Sequence, residues 1–582
     1  MANPSYTDGW HAWQSRVANR VQARLAARAR LTTRFIDDPD PYIMGSVSRG
    51  KQLISGSFHM AGTLIEAPGR SAWHILPPTP AFHAELHGFG WLDDLAALAD
   101  PQAEAAARSW VMDWIARFSN GSGPGWAPEL AGRRLLRLIN HGSMLLALPD
   151  GVGPEPLMAA LARHVRFLAR RWQAAPPGLP RFEALAGLIV GSLKLDGMQD
   201  HAPAAIAAIA SHCAEQLGKD GGLPGRNPEQ MLDLFLLLAL AGQAIGQAGR
   251  IAGRAHLAAI ERMAPTLRGL RHANGRLARF HGGGPGPEGR LDQALAASGI
   301  RTLPGPGLHL GFARLSCGRT SVIVDAQAPP RGSPTAHAST LALELTSGRR
   351  PLIVNCGSGA DFGPQWHQAG RQTASHSTLI LDDQSSSRFT PPRRGAAGTG
   401  LLASPPQNVT AQHASGPSGH SLIVRHDGYV PSHGLTHIRR LNLSADGRAL
   451  VGEDTLGALT DADKRRFGRL MNRARSAGLP FVLRFHLHPD IGAATDPANG
   501  AIHLALPSGE DWLFRQHGGA VLSLEPSVYL DKIRLKPRAT KQIVLSGVVI
   551  DYASQVSWTL AKTRDTPQSV RDVEPGGSLA QD

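Results

Sequence analysis

Three runs in the second half of the chain carry residue types able to do proton-transfer or metal chemistry. The first is Thr335-Ala336-His337-Ala338-Ser339-Thr340, leading into Leu341-Ala342-Leu343-Glu344-Leu345. The second is Leu352-Ile353-Val354-Asn355-Cys356-Gly357, and the third is Arg371-Gln372-Thr373-Ala374-Ser375-His376-Ser377-Thr378-Leu379. A neutral imidazole can accept a proton near pH 7, and two imidazoles with a third ligand can hold zinc. An arginine beside them can grip a carboxylate. The second and third runs read as strands separated by a loop, and a histidine stands at the edge of the first strand. Neighbouring strands can bring His337, His376 and an amide or thiol to one point. Strand alternation turns Cys356 away from the face that Asn355 occupies.

The chain around these runs has 582 residues, more than one hydrophobic core serves, so at least two domains are expected. Residues 1–89 hold a basic helix and an irregular segment. The helix, placed at 9–35, repeats Arg16, Arg20, Arg24 and Arg28 every four residues beside Val17, Val21 and Leu25. That pattern suits a surface helix packed by its apolar edge, or one lying on an anionic membrane or partner. Residues 90–281 are helical in pattern. Apolar residues recur at three and four across Leu92-Leu98, Ala105-Phe118, Pro128-Leu146, Leu157-Trp172, Phe182-Leu195, Ala204-Leu217, Pro228-Ala244 and His256-Leu270. Gly- and Pro-rich joints such as Gly121 to Gly125 separate them, so stacked antiparallel helix pairs are expected. A Gly/Pro-rich linker at 282–307 follows. Short strand patterns over 308–562, Thr320-Asp325 and Lys541-Val549 among them, predict an antiparallel β-sandwich. The tail at 563–582 reads as disordered.

A formal charge of +14 and a pI near 10.4 favour an anionic partner, or serve solubility alone. Three scattered cysteines make no disulfide framework. No apolar leader opens the chain, and no run reaches 18 apolar residues; Met231 to Ala241 comes nearest and is interrupted by Asp233. A cytoplasmic protein is expected, with periplasm or cell envelope as the alternative. Nucleic acid is not the expected partner, and the oligomeric state is left open.

The three runs resemble the C-terminal domain of the heparinase II/III family of polysaccharide lyases. The family's first run is His-Ala-His-Ala-Asp with a glutamate nine residues after the first histidine. Glu344 sets the register and places Thr335, His337 and Ser339 on the two histidines and the aspartate. Asn355-Cys356-Gly357 falls on the family's aspartate-x-glycine, and Ser375-His376-Ser377-Thr378 on Ala-His-Asn-Thr. The resemblance is specific over residues 330–390 and looser elsewhere. It implies an α+β multidomain protein, an N-terminal incomplete (α/α) toroid followed by an antiparallel β-sandwich. It also implies β-elimination of an acidic, uronic-acid-containing glycan in the cleft between domains.

That reaction needs a group to neutralise the uronate carboxylate, a base for the C5 proton, and an acid for the leaving oxygen. The family's tyrosine stands in an Arg-Ser-Pro-x-Tyr-His stretch, matched here by Arg226-Asn227-Pro228-Glu229-Gln230-Met231, so Gln230 occupies its place. His337 and His376 become the candidate bases and Arg371 the carboxylate partner. Arg226, Asn227 and Glu229, at a helix start, together with Asn140 and His141, are the candidate substrate-binding residues. The metal-bearing relatives place zinc ligands where His337, Asn355 and His376 fall. Two alternatives stand beside the lyase: a catalytically silent protein that binds an acidic polysaccharide, and a hydrolase using Glu229 and Asp233 as paired carboxylates.

Overall fold

Helices form where the apolar period of three and four is bounded by capping residues. Asp100 accepts the Ala103 N–H at 3.1 Å and Pro101 occupies the first turn of Pro101–Phe118. Thr79 caps Pro80–His87 in the same way, through the Phe82 N–H at 3.1 Å. The structure, a computed structural model, describes residues 4–28, 33–37, 45–147, 153–390, 400–473, 478–532, 534 and 536–566. They fall into two units: Met1–Leu223 with Asp233–Glu261, and Pro224–Leu232 with Arg262–Asp582. The texture change at Gly282 therefore lies inside the second unit, and residues 282–307 include a short helix, Arg290–Ala297. Of the expected disordered tail, residues up to Arg564 close the strand Ala553–Arg564, and 567–582 lie outside the described residues.

In the first unit the helices match the sequence pattern closely: Gly90–Ala96, Pro101–Phe118, Glu155–Arg171, Leu179–Lys194 and Ala202–Gln216. The expected helix from Pro128 to Leu146 is two, Pro128–Asn140 and Gly142–Leu146, broken at His141. Small residues set the packing. A Cβ on Gly187 would lie 2.6 Å from Gly132 Cα, so Pro128–Asn140 and Leu179–Lys194 cross backbone to backbone. Arg133 then reaches Glu183 at 2.6 Å across the same crossing. Among its described residues the hairpin Ser57–Met60 with Thr63–Glu66 departs from the helical pattern.

The second unit stacks two antiparallel sheets. One runs in the order Val521–Tyr529, Arg538–Val549, Leu479–Leu487, Arg350–Val354, Leu343–Ser347, Thr320–Asp325, Phe312–Cys317, with Leu379–Leu381 also paired to Leu479–Leu487. The other runs Val409–Gly416, Gly419–His426, Thr436–Ser444, Ala449–Gly457, Ala553–Arg564, Asp511–His517, Ile502–Ala505, Gly492–Thr495. Their inner faces share one apolar core, in which Phe485 of the first sheet meets Trp558 of the second at 4.7 Å. Gly452 is a strand glycine because the Trp558 ring lies on it: a Cβ there would be 2.0 Å from the indole. The helix Asp461–Arg473 interrupts the run of strands.

Among the described residues one helix, Pro228–Gln247, is long and apolar enough to cross a membrane by length and composition, and half of its apolar window is buried. Phe235, Leu238 and Ile245 are among its buried residues.

Candidate functional site

The first run is a loop where it carries chemistry. Its strand begins at Leu343, and Leu341 takes a left-handed φ of 68° to turn into it. The loop is pinned by backbone bonds, Leu341 N–H to Asp325 O at 2.8 Å and Ala338 N–H to Arg371 O at 2.8 Å. His376 likewise sits just after a one-turn helix, Thr373–Ser375, ahead of the strand Leu379–Leu381. These two loops bring His337 and His376 together inside the second unit, both almost fully buried.

The hydrogen bonds fix where the protons are. The Gly282 N–H donates to His337 Nε2 at 3.0 Å. A neutral His337 must then carry its proton on Nδ1, which lies 3.0 Å from His376 Nε2. His376 Nε2 is thus the acceptor, and its own proton is on Nδ1, directed to the Gln372 carbonyl at 2.7 Å. Each imidazole donates once and accepts once. Neither keeps a free lone pair. Burial, then the His376 and His281 rings, hold His337 well below its ordinary range. Burial lowers His376 to about 4, against the pull of the Gln372 carbonyl.

A carboxylate anchors the other end. Asp325, fully buried at the end of Thr320–Asp325, receives Arg226 Nη2 at 2.6 Å and Ser339 Oγ at 2.7 Å. His281 Nε2 is 3.4 Å from its second oxygen, and His281 Nδ1 accepts the His337 backbone N–H at 3.2 Å. Burial opposes the charge on Asp325, yet Arg226 and His281 outweigh it and hold the carboxyl well below the usual range. Ser339 thus occupies the place of the expected aspartate and donates to an aspartate from another strand.

Arg226, expected to face a sugar, does not. It takes a left-handed φ of 50° and spends all five N–H groups inside the protein. Nε donates to Leu310 O at 3.0 Å, Nη1 to Gln327 O at 3.2 Å and Ala328 O at 2.9 Å, Nη2 to Gly311 O at 3.0 Å and to Asp325. Its guanidinium also stacks 4.7 Å from the Phe312 ring. Asn227 accepts the Gln230 N–H at 3.1 Å and acts as a helix cap. Glu229 pairs with Lys532 at 2.5 Å and accepts the Gly284 N–H at 2.8 Å, so the paired-carboxylate hydrolase loses one partner to an ion pair. Arg371 is buried and donates to Ala336 O at 2.8 Å and Gly400 O at 2.9 Å, tying loops together. In the first unit Asn140 and His141 are buried around Asp93, with His141 Nε2 2.9 Å from its carboxylate and Arg137 2.7 Å from the other oxygen. That is helix packing.

Asn355 belongs to a second layer. Its Nδ2 donates to Glu344 at 3.2 Å, its Oδ1 accepts the Ser377 N–H at 3.0 Å, and its carbonyl accepts from Arg279 at 2.8 Å. Cys356 points elsewhere, 3.5 Å from His486 Nδ1, and burial raises its thiol to about 11. With both imidazole lone pairs engaged and the amide committed to Glu344 and Ser377, these residues do not fit a zinc ion. Among the described residues no group of three His, Cys, Asp or Glu side chains is arranged to hold a metal.

Gln230 and Thr335, the family's tyrosine and histidine positions, are half-buried and close to one another's neighbours. Ser333 Oγ is 3.1 Å from Thr335 Oγ1, and a Cβ on Gly225 would lie 3.8 Å from Gln230 Oε1 and 4.0 Å from Ser333 Oγ. An amide and two hydroxyls stand there, none titrating near pH 7. Sequence reasoning missed Asp325, His281 and Arg279. Asp325 had a signal, an acid closing an otherwise apolar strand. His281 had none, since it only closes the 90–281 stretch and belongs to no motif.

A family model described as heparinase II/III-like, C-terminal, matches residues 301–559. FtsZ-localized protein C of Caulobacter vibrioides is 30% identical over 532 residues, 90% of this chain and 89% of that protein. Among solved structures, heparinase III superposes with a TM-score of 0.62 at 11% identity, covering 96% of this chain and 91% of that one. The heparan sulfate lyase HepC of Pedobacter heparinus gives 0.53 at 14% identity, covering 94% and 88%. These likenesses carry the fold, a helical toroid followed by an antiparallel β-sandwich.

Proposed function

Since this chain belongs to the heparinase II/III-like family, we propose that it is a catalytically silent member that binds an acidic glycan without cleaving it. The observation that carries this reading is the proton order in the histidine pair. With Gly282 N–H on His337 Nε2 and His337 Nδ1–H on His376 Nε2, neither ring can accept a substrate proton without breaking a buried hydrogen bond. An imidazole lowered to about 4 is also a weak base at pH 7. Gln230 and Thr335 supply neither a general acid nor a base. What favours a polyanion is the net charge of +14. Arg226, Arg279, Arg371 and Arg439 are buried, so glycan binding rests on surface basic residues and weakens with salt.

Purified protein incubated with heparan sulfate, chondroitin sulfate, alginate and acidic bacterial exopolysaccharides tests both halves. The expected result is salt-sensitive retention on at least one polymer and no rise in the ultraviolet absorbance of a 4,5-unsaturated uronate. Unsaturated product on any of them restores the lyase reading. Absence of binding to all of them removes the glycan reading.

A second reading follows from the relative that matches along nearly the whole chain. It is association with FtsZ, with the heparinase fold serving as a scaffold. A fluorescent fusion that tracks FtsZ, and co-sedimentation with FtsZ polymers, support it; a uniform distribution together with no co-sedimentation ends it.

A further inference from the structure

The N-terminal helix, expected at 9–35, runs Pro4–Arg28, with Arg34 and Phe35 outside it, and it packs within the first unit by the face that sequence periodicity does not favour. Asn19, Ala23 and Ala26 are its buried residues, and Asn19 Oδ1 accepts Arg171 Nε–H at 2.7 Å. The approach is close. A Cβ on Gly121 would lie 2.6 Å from the Arg24 backbone nitrogen, so small residues line both sides.

The apolar edge faces outward instead. Trp10, Trp13, Val17, Val21 and Leu25 are 57%, 49%, 38%, 49% and 46% exposed, and the two indoles stack at 5.0 Å. At about 100° per residue this stripe is centred roughly opposite the buried one. Arg16, Arg20 and Arg24 run exposed along one flank, and Gly9 to Arg28 contains no Asp or Glu.

A patch of large apolar side chains with a basic border marks an interaction surface. A soluble polyanion would satisfy the arginines and leave Val17, Val21 and Leu25 in water. An apolar protein groove would cover those three and leave the guanidinium groups without anions. A bilayer surface offers both in one plane: acyl chains under the stripe, the interfacial zone for the indoles, and headgroup phosphates level with the arginines. We propose that Pro4–Arg28 docks this protein on an anionic lipid membrane, lying in the interface with its Trp10–Leu25 face inward.

Full-length protein is sedimented with vesicles of phosphatidylcholine alone and of phosphatidylcholine with phosphatidylglycerol. It pellets with the anionic vesicles only. Arg16→Glu/Arg20→Glu/Arg24→Glu abolishes pelleting, since each basic side chain near such a surface changes partitioning roughly fivefold. Trp10→Ser/Trp13→Ser/Val21→Ser weakens it by roughly tenfold or more. The thermal midpoint holds in both variants, because the replaced side chains are exposed; if it drops in either, Trp13→Ser alone carries the same test. Equal pelleting with neutral vesicles, or full binding by either variant, overturns the proposal. So does displacement of the arginine-dependent binding onto dextran sulfate with no loss from the tryptophan variant, which would identify a polyanion site.

Discussion

His337 Nδ1 and His376 Nε2 are 3.0 Å apart, and the proton between them belongs to His337 because the Gly282 N–H already occupies its other nitrogen. Both rings are therefore neutral Nδ1–H tautomers. Long-range ¹H–¹⁵N correlation spectra of histidine-labelled protein at neutral pH should show both in this form. A protonated ring, or an Nε2–H tautomer at either position, would contradict the order and reopen His337 or His376 as a base.

Acid should unfold the protein earlier than carboxylate titration alone requires. Burial holds His376 at about 4 against an ordinary 6.5, and holds His337 and His281 below theirs. Between those two values the unfolded chain takes up a proton that the folded chain refuses. Stability is present above about pH 6.5 and is lost as pH falls toward 4. A tenfold change in proton affinity is worth about 1.4 kcal/mol, so His376 alone contributes a few kcal/mol to the loss. Thermal midpoints measured from about pH 8 to about pH 4 should fall steeply below pH 6.5. A flat profile down to about pH 5 would rule this out.

Asp325 should be the most sensitive position in the network. Asp325→Asn leaves the Arg226 guanidinium buried without its anion, and breaking one side of a buried pair costs about 3–5 kcal/mol. Arg226→Lys should cost a similar amount, because three ammonium donors cannot serve five acceptors. Ser339→Ala removes one hydrogen bond and should cost about 1 kcal/mol. Urea midpoints separate these cases, and an Asp325→Asn loss no larger than that of Ser339→Ala would show that the pair is not a keystone.

Zinc should neither stabilise this protein nor stay with it. A ligand at a thousand times its Kd raises stability by about 4 kcal/mol, which a thermal melt would register clearly. No shift is expected on adding zinc, and no stoichiometric zinc after dialysis. Retained metal that disappears in His337→Ala would overturn the lone-pair assignment.

The amino-acid chain alone set the order of architectures and most of the elements. Helices such as Pro101–Phe118 and strands such as Thr320–Asp325 follow from local periodicity and caps, which are written in neighbouring residues. It also identified the pairing of His337 with His376, because the family register places the two runs. What those histidines can do is set by long-range contacts. Whether an imidazole is a base, a ligand or a strut depends on which donor meets each nitrogen, and here those partners are Gly282, 55 positions away, and Gln372. The same holds for Arg226, whose role turned on carbonyls of Leu310, Gly311, Gln327 and Ala328 that no local pattern announces. The outward face of Pro4–Arg28 was settled likewise, since periodicity defines two faces of a helix and only the packing partner selects between them.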